Sequence, residues 1–153
     1  MLLVYNFVTF VLMSISTYWC MIFILPKRVI ARVNAVCQAF LWHANASSTT
    51  LGNVSWQKLC SGKKEGGLGI RNLETWNTVA VGKLSWHICH MSESPWVRWI
   101  LGVYTKRANW LRFNPPPTTS WSLRKIYKTK DIVSHWVVKD KYSIASVYKE
   151  YTL

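Results

Sequence analysis

Acidic side chains are scarce in this chain. Six Asp and Glu stand against 19 Lys and Arg, a formal net charge of +13 at neutral pH. The six are Glu65, Glu74, Glu93, Asp131, Asp140 and Glu150, spread without any Asp-Asp pair. Two-metal polymerase chemistry needs clustered carboxylates, so no such centre is encoded here. No GxxxxGK followed by Ser or Thr occurs, and Gly66-Gly67-Leu68-Gly69 lacks the Rossmann spacing, which excludes the common phosphate loops. The four cysteines, Cys20, Cys37, Cys60 and Cys89, form no CxxC pair, so no structural zinc site is indicated. With no secretory signal pattern either, they read as buried thiols of a reducing compartment. His87 and His90 stand three apart on an expected helix and could share a metal, but Cys89 points away from both and no further ligand accompanies them. Nothing supports Ser/His/Asp catalysis, and no internal repeat is visible. The expectation is a protein that is no enzyme by itself, with no metal, cofactor or small-molecule substrate.

Charge is also missing from residues 1–25. A helix of that length spans roughly 37 Å, enough for the hydrocarbon core of a bilayer. Lys27, Arg28 and Arg32 follow at once, and Tyr18 and Trp19 lie inside the stretch, so a single-pass membrane helix with a cytosolic basic flank is one reading. A basic n-region and a small-residue cleavage site are lacking, which argues against a signal peptide. Asn6, Thr9, Ser14, Ser16 and Thr17 dilute the hydrophobicity, and a buried core helix is the other reading.

What is abundant is tryptophan, ten residues in a chain that is half hydrophobic. The central stretch, 63–104, opens on Lys63, Lys64 and the glycine turn, where the backbone is able to take φ > 0 and approach a phosphate closely. Leu73, Trp76, Ala80, Leu84, Ile88 and Met91 then recur at helical spacing. Asn72 is a suitable N-cap and Glu74 complements the dipole. Pro95 suits the first turn of a second helix carrying Trp96, Trp99 and Ile100.

Upstream, Val29, Ile30, Val33, Val36, Cys37, Phe40 and Leu41 predict a helix over 27–42. Lys27, Arg28 and Arg32 oppose its dipole, a conflict that phosphate contact would excuse and that ordinary solvation would also tolerate. Residues 43–53 read as a polar loop and 54–60 as a turn of helix around Trp56. Downstream, Lys106, Arg107 and Arg112 flank Trp110 and Phe113. That pattern suits stacking of single-stranded bases on rings, or simple packing. Pro115-Pro116-Pro117 is a stiff spacer. Residues 120–132 predict a basic helix with Arg124, Lys125, Lys128 and Lys130, residues 135–142 a small β-hairpin, and Ser143 the cap of a last helix.

Several of these residues also resemble a known family. Trp56-x-Lys58-Leu59-Cys60, Lys64-Glu65-Gly66-Gly67-Leu68-Gly69-Ile70, Asn72-Leu73, Asn77, Lys83, Trp86 and Trp96-Val97-Arg98-Trp99 occur in this order. Leu25-Pro26-Lys27 and Phe40-Leu41-Trp42 precede them, and Ser120-Trp121-Ser122-Leu123-Arg124-Lys125-Ile126 follows. Together they resemble the part of plant LINE-type (non-LTR) retrotransposon reverse transcriptases downstream of the polymerase palm. His87 departs from the Arg expected after the tryptophan, and residues 1–10 have no counterpart. The resemblance implies that residues 11–26 correspond to a thumb helix. It also implies that Tyr142-Ser143-Ile144-Ala145-Ser146-Val147-Tyr148 opens a zinc-binding domain, whose ligands would lie beyond Leu153.

The resulting expectation is a mainly α-helical fold. A thumb-like helical pair (1–42) precedes the glycine turn and tryptophan-rich helical hairpin (43–114), and a small α/β piece follows (115–153). The expected role is accessory gripping of RNA or DNA, weakly sequence-selective, inside the cell, with the nucleus as one candidate site. Candidate backbone contacts are Lys27, Arg28, Arg32, Lys63, Lys64, Arg71, Lys83, Arg98, Arg107, Arg112, Arg124 and Lys125. Two alternatives stay open: a membrane protein anchored by residues 1–25, and a gene fragment without independent function.

Overall fold

Helix starts fall where the sequence supplies caps. In the computed structural model, which describes residues 2–43, 54–106, 109–139 and 141–152, the Asn72 Oδ1 accepts the amides of Glu74 and Thr75 at 3.0 and 3.2 Å. Ser55, Ser120 and Ser143 hydroxyls accept the amides of Lys58, Leu123 and Ser146 in the same way. The Asn72 cap contributes about 1 kcal/mol by satisfying otherwise orphaned amides, and the serine caps, at 3.4, 3.3 and 3.5 Å, are longer and weaker. Pro95 stands in the first turn of its helix, as expected.

The fold is mainly α, and no strand occurs among the described residues. It divides into two units, Met1–Asn77 and Thr78–Leu153. In the first, α1 (Leu2–Asn6) and α2 (Met13–Ile22) are joined by a π-helical segment, Phe7–Leu12. The buried residues are Val8, Met13, Thr17 and Cys20. The five-residue step from Val8 to Met13 fits π winding, whose hydrogen bonds run five residues apart, and the later steps fit an α-helix. α3 (Lys27–His43) packs along α1 and the π segment, with the Phe7 and Phe40 rings 5.5 Å apart and the Cys37 thiol 3.9 Å from the Met13 sulfur. Val29, expected in the apolar stripe, is exposed, whereas Ile30, Cys37 and Ala39 are buried. α4 (Trp56–Cys60) buries Leu59 and leads into a 3-10 turn, Lys63–Glu65.

α5 (Leu73–Cys89) starts in the first unit and continues into the second. Leu73, Trp76, Ala80 and Ile88 are buried, and so are Val79, Val81 and Ser85 on its other sides. A helix apolar on nearly all sides belongs in a core rather than at a surface. Met91, expected on the same stripe, lies past the helix end with φ 47° and is 65% exposed. Asn77 holds the end of α2: its Nδ2 donates to the carbonyls of Cys20 and Phe23, both at 2.8 Å, and its Oδ1 accepts the Leu25 amide at 3.1 Å.

The second unit adds α6 (Pro95–Ile100) with its π-helical extension Leu101–Thr105, then α7 (Trp121–Lys128), α8 (Lys130–Trp136) and α9 (Ile144–Tyr151). Val79, Val133, Trp136, Tyr142 and Val147 form its core. The Tyr142 hydroxyl donates to the Val79 carbonyl at 2.9 Å. Gly82 leaves room for that hydroxyl, since a Cβ there would come within 2.8 Å of it.

The expected β-hairpin at 135–142, and with it the α/β character of the C-terminal piece, is corrected. His135 and Trp136 end α8, and Val137 to Lys139 form a turn. Val133 and Trp136, one helical turn apart, both reach the core beside Tyr142 and Val147, and Asp131 complements the dipole at the start of α8. The expected single helix over 120–132 is likewise two, separated at Thr129, whose hydroxyl turns back to donate to the Ile126 carbonyl at 2.6 Å.

Candidate nucleic-acid interface

The first unit carries exposed cations at the start of α3 and around the glycine turn, beside a larger set of exposed apolar side chains between Leu3 and Phe23. Arg28 and Arg32 lie exposed on α3. Lys27 is exposed too and forms an ion pair with Glu74 at 3.2 Å. That pair offsets part of the dipole conflict at the start of α3, and in solvent it contributes little to stability. Lys63 and Lys64 sit in the 3-10 turn, Lys63 with its ammonium 5.9 Å from the Tyr5 ring centre. Arg71 stacks over the Trp76 ring at 4.6 Å, a cation–π contact that holds the guanidinium at the surface.

The glycine turn does something other than expected. Gly66 and Gly69 take left-handed φ values of 80° and 68°. The close approach, however, is internal: a Cβ on Gly67 would overlap the Ser61 carbonyl. The amides of Gly67, Leu68 and Gly69 bond back to Gly62, Leu59 and Ser61. The loop is therefore folded onto α4, with its amides already used. Beside it a largely apolar pocket of about 500 Å³ is lined by Tyr5, Leu41, Trp42, Leu59, Lys63 and Leu68.

In the second unit, Lys83 is half-buried on α5, and Arg98 and Arg112 are exposed. Arg107 lies outside the described residues. Trp110 is fully engaged in packing: its indole N–H donates to the Ser85 hydroxyl at 2.7 Å, and its ring stacks on Phe113 at 5.8 Å. This aromatic pair is core, not a platform for bases. Trp99, by contrast, is exposed.

α7 gathers the most orderly basic surface. Leu123 and Ile126 are buried, and Trp121, Arg124, Lys125 and Lys128 are exposed. At 100° per residue the last four fall within one stripe opposite the buried pair. Lys125 places its ammonium 5.6 Å from the Trp121 ring centre. Lys128, expected on this basic helix, is not among the candidate backbone contacts, although its position seven after Trp121 is the signal that adds it.

The titratable groups give no sign of a reactive centre among the described residues. Cys20, Cys37, Cys60 and Cys89 are free thiols, each pushed by burial up to about 11. Such thiols are protonated at neutral pH and are poor nucleophiles and ligands. His87 is held below the usual histidine value by burial and then by Lys83 and His90. His90 stacks on Trp86 at 4.0 Å with its Nδ1 3.0 Å from the Trp86 carbonyl. No group of three His, Cys, Asp or Glu gathers among the described residues.

Fold and surface thus define a mainly helical, strongly basic chain with cations displayed on helix faces. Its relatives are distant. A protein named "Putative ribonuclease H protein", from Arabidopsis thaliana, is 31% identical over 134 residues, covering 83% of this chain and 21% of its own length. An "Uncharacterized mitochondrial protein" of the same plant is 24% identical over 128 residues, covering 83% of each chain. The chain thus spans about a fifth of the first relative's length. No family model and no solved structure matches it.

Proposed function

We propose that this chain is an accessory, non-catalytic part of a LINE-type retrotransposon reverse transcriptase, corresponding to the segment after the polymerase palm, and that it grips the backbone of RNA or DNA. The observation that carries the reading is the +13 charge displayed as exposed Lys and Arg on helices. Such a surface attracts polyanions and releases their counterions. The ordered set of motifs from Leu25 to Ile126 supports the family. A relative bearing the name of a ribonuclease, an enzyme of nucleic acid, supports the partner. Free thiols and a nucleic-acid partner together fit an intracellular site, cytosolic or nuclear. The six acidic residues include no Asp-Asp pair, which supports a non-catalytic role. Primer extension tests this: with Mg²⁺ or Mn²⁺ the purified chain binds primer–template and incorporates nothing above background. Incorporation that copurifies with the chain contradicts it.

A second reading is supported by Leu3–Ile22, a helical stretch long and apolar enough to cross a membrane, with Phe10, Ile15, Tyr18 and Ile22 among its exposed side chains. Against a single span stands α3, which packs along α1 and the π segment and would carry the polar Asn34 and Gln38 of its interior toward hydrocarbon. Alkaline carbonate separates the two: release of the expressed protein favours a protein-covered helix, and retention favours the bilayer.

A further inference from the structure

We propose that the exposed face of α7 is a stacking platform selective for single-stranded nucleic acid, with Trp121 as the base-stacking ring and Arg124, Lys125 and Lys128 as the backbone contacts. The proposal rests on the nucleic-acid reading above and names the form of the partner. Trp121 is 50% exposed although it is the largest apolar side chain on its helix. It stands at the start of α7, where packing of Leu123 and Ile126 turns it outward. The helix is therefore fixed in rotation by its buried pair, and the outward stripe is not free to turn inward. Along that stripe an aromatic ring is followed by cations three, four and seven residues on, covering about 10 Å of helix axis.

This order matches the chemistry of an unpaired strand. A single strand offers open base faces beside its phosphates, whereas a duplex stacks its bases internally and leaves a flat ring nothing to cover. Lys125, 5.6 Å from the ring centre, keeps a positive charge beside the base that would lie there. No acidic residue occurs within α7, so nothing on the helix itself competes with phosphate for these cations. Trp110 and Phe113 cannot serve instead, because Trp110 is bonded to Ser85 and stacked on Phe113.

The test uses the full chain, a fluorescently labelled single-stranded oligonucleotide and the duplex of the same sequence, read by anisotropy at several salt concentrations. Trp121→Ala is expected to weaken single-strand binding about tenfold, the usual cost of losing one stacked base. Trp121→Phe should retain most of the affinity. Duplex binding should change less than about twofold, and the salt slope of Trp121→Ala should stay at the wild-type value, since no phosphate contact is lost. Arg124→Ala and Lys128→Ala should each lower the single-strand slope by about 0.7. Far-UV circular dichroism confirms that each variant is folded; a substitution at an exposed site should leave it so. If the wild-type chain binds with a steep salt slope and Trp121→Ala costs nothing, or costs as much on duplex, the platform is wrong and the nucleic-acid reading stands. If the wild-type chain binds neither form, both fall.

Discussion

Asn77 donates its side-chain amide to the carbonyl of Cys20 at 2.8 Å, with both residues buried. The same side chain serves Phe23 and Leu25, so one residue satisfies three backbone groups where α2 ends and the chain turns toward α3. Asn77→Asp replaces the donor with an acceptor facing two carbonyl oxygens, and Asn77→Leu leaves all three groups unpaired. Either should cost about 3 kcal/mol and lower Tm by about 10 °C. A thermal melt of the two variants checks this, and an unchanged Tm would contradict the bonding pattern.

The bond from Trp110 to Ser85 makes a parallel prediction in the second unit. Ser85→Ala strands a buried indole N–H and should destabilise by about 2 kcal/mol. Combined with Trp110→Phe, its further cost should shrink, giving a coupling of about 1 kcal/mol in a double-mutant cycle from denaturant melts. Additive losses would show that the two side chains do not act as a pair.

Helix caps were legible in the sequence because they are local. Asn72, Ser143 and Pro95 each act within four residues, and all three stand where the spacing put them. The role of Asn77 was not legible, because its partners lie more than fifty residues away. The stretch around Val137 misled for a related reason. A run of β-branched residues before Lys139 and Lys141 reads as a hairpin, and only the packing of Val133 and Trp136 against Tyr142 and Val147 keeps the chain helical to Trp136, with a turn after it. For the interface, the count of cations was plain, but their grouping on α7 needed the buried positions Leu123 and Ile126 to fix which way the helix faces. In the sequence the glycine turn reads as open to phosphate, whereas Gly67 is spent on contact with Ser61.

Thiol chemistry offers a pH test. Burial raises all four cysteines from 9.0 to about 11. The folded chain holds these protons more tightly than the unfolded one, so their contribution to stability is complete below pH 9 and is lost as pH rises toward 11. Alkylation at pH 8 should be slow in the native protein and rapid after denaturation. Immediate native labelling of Cys20 and Cys37, the two fully buried thiols, would contradict their packing.

Charge reversals separate contact from ordinary surface. Lys139 stands 3.5 Å over the Trp136 ring, a closer ring contact than the 5.9 Å of Lys63 to Tyr5, and follows α8 in a turn. Lys63 and Lys64 project from the 3-10 turn of the first unit. Reversing Lys63 and Lys64 to glutamate should weaken oligonucleotide binding more than reversing Lys139 and Lys141. Equal losses would mean that only net charge matters.

The most direct test of the account is the salt dependence of binding by the unmodified chain, measured by anisotropy between about 50 and 200 mM salt. If five or so cations engage phosphate, log K should fall linearly with log[salt], and affinity should drop at least about a hundredfold across that range. A flat dependence, or no binding at low salt, would contradict the claim that this helical, basic chain holds nucleic acid.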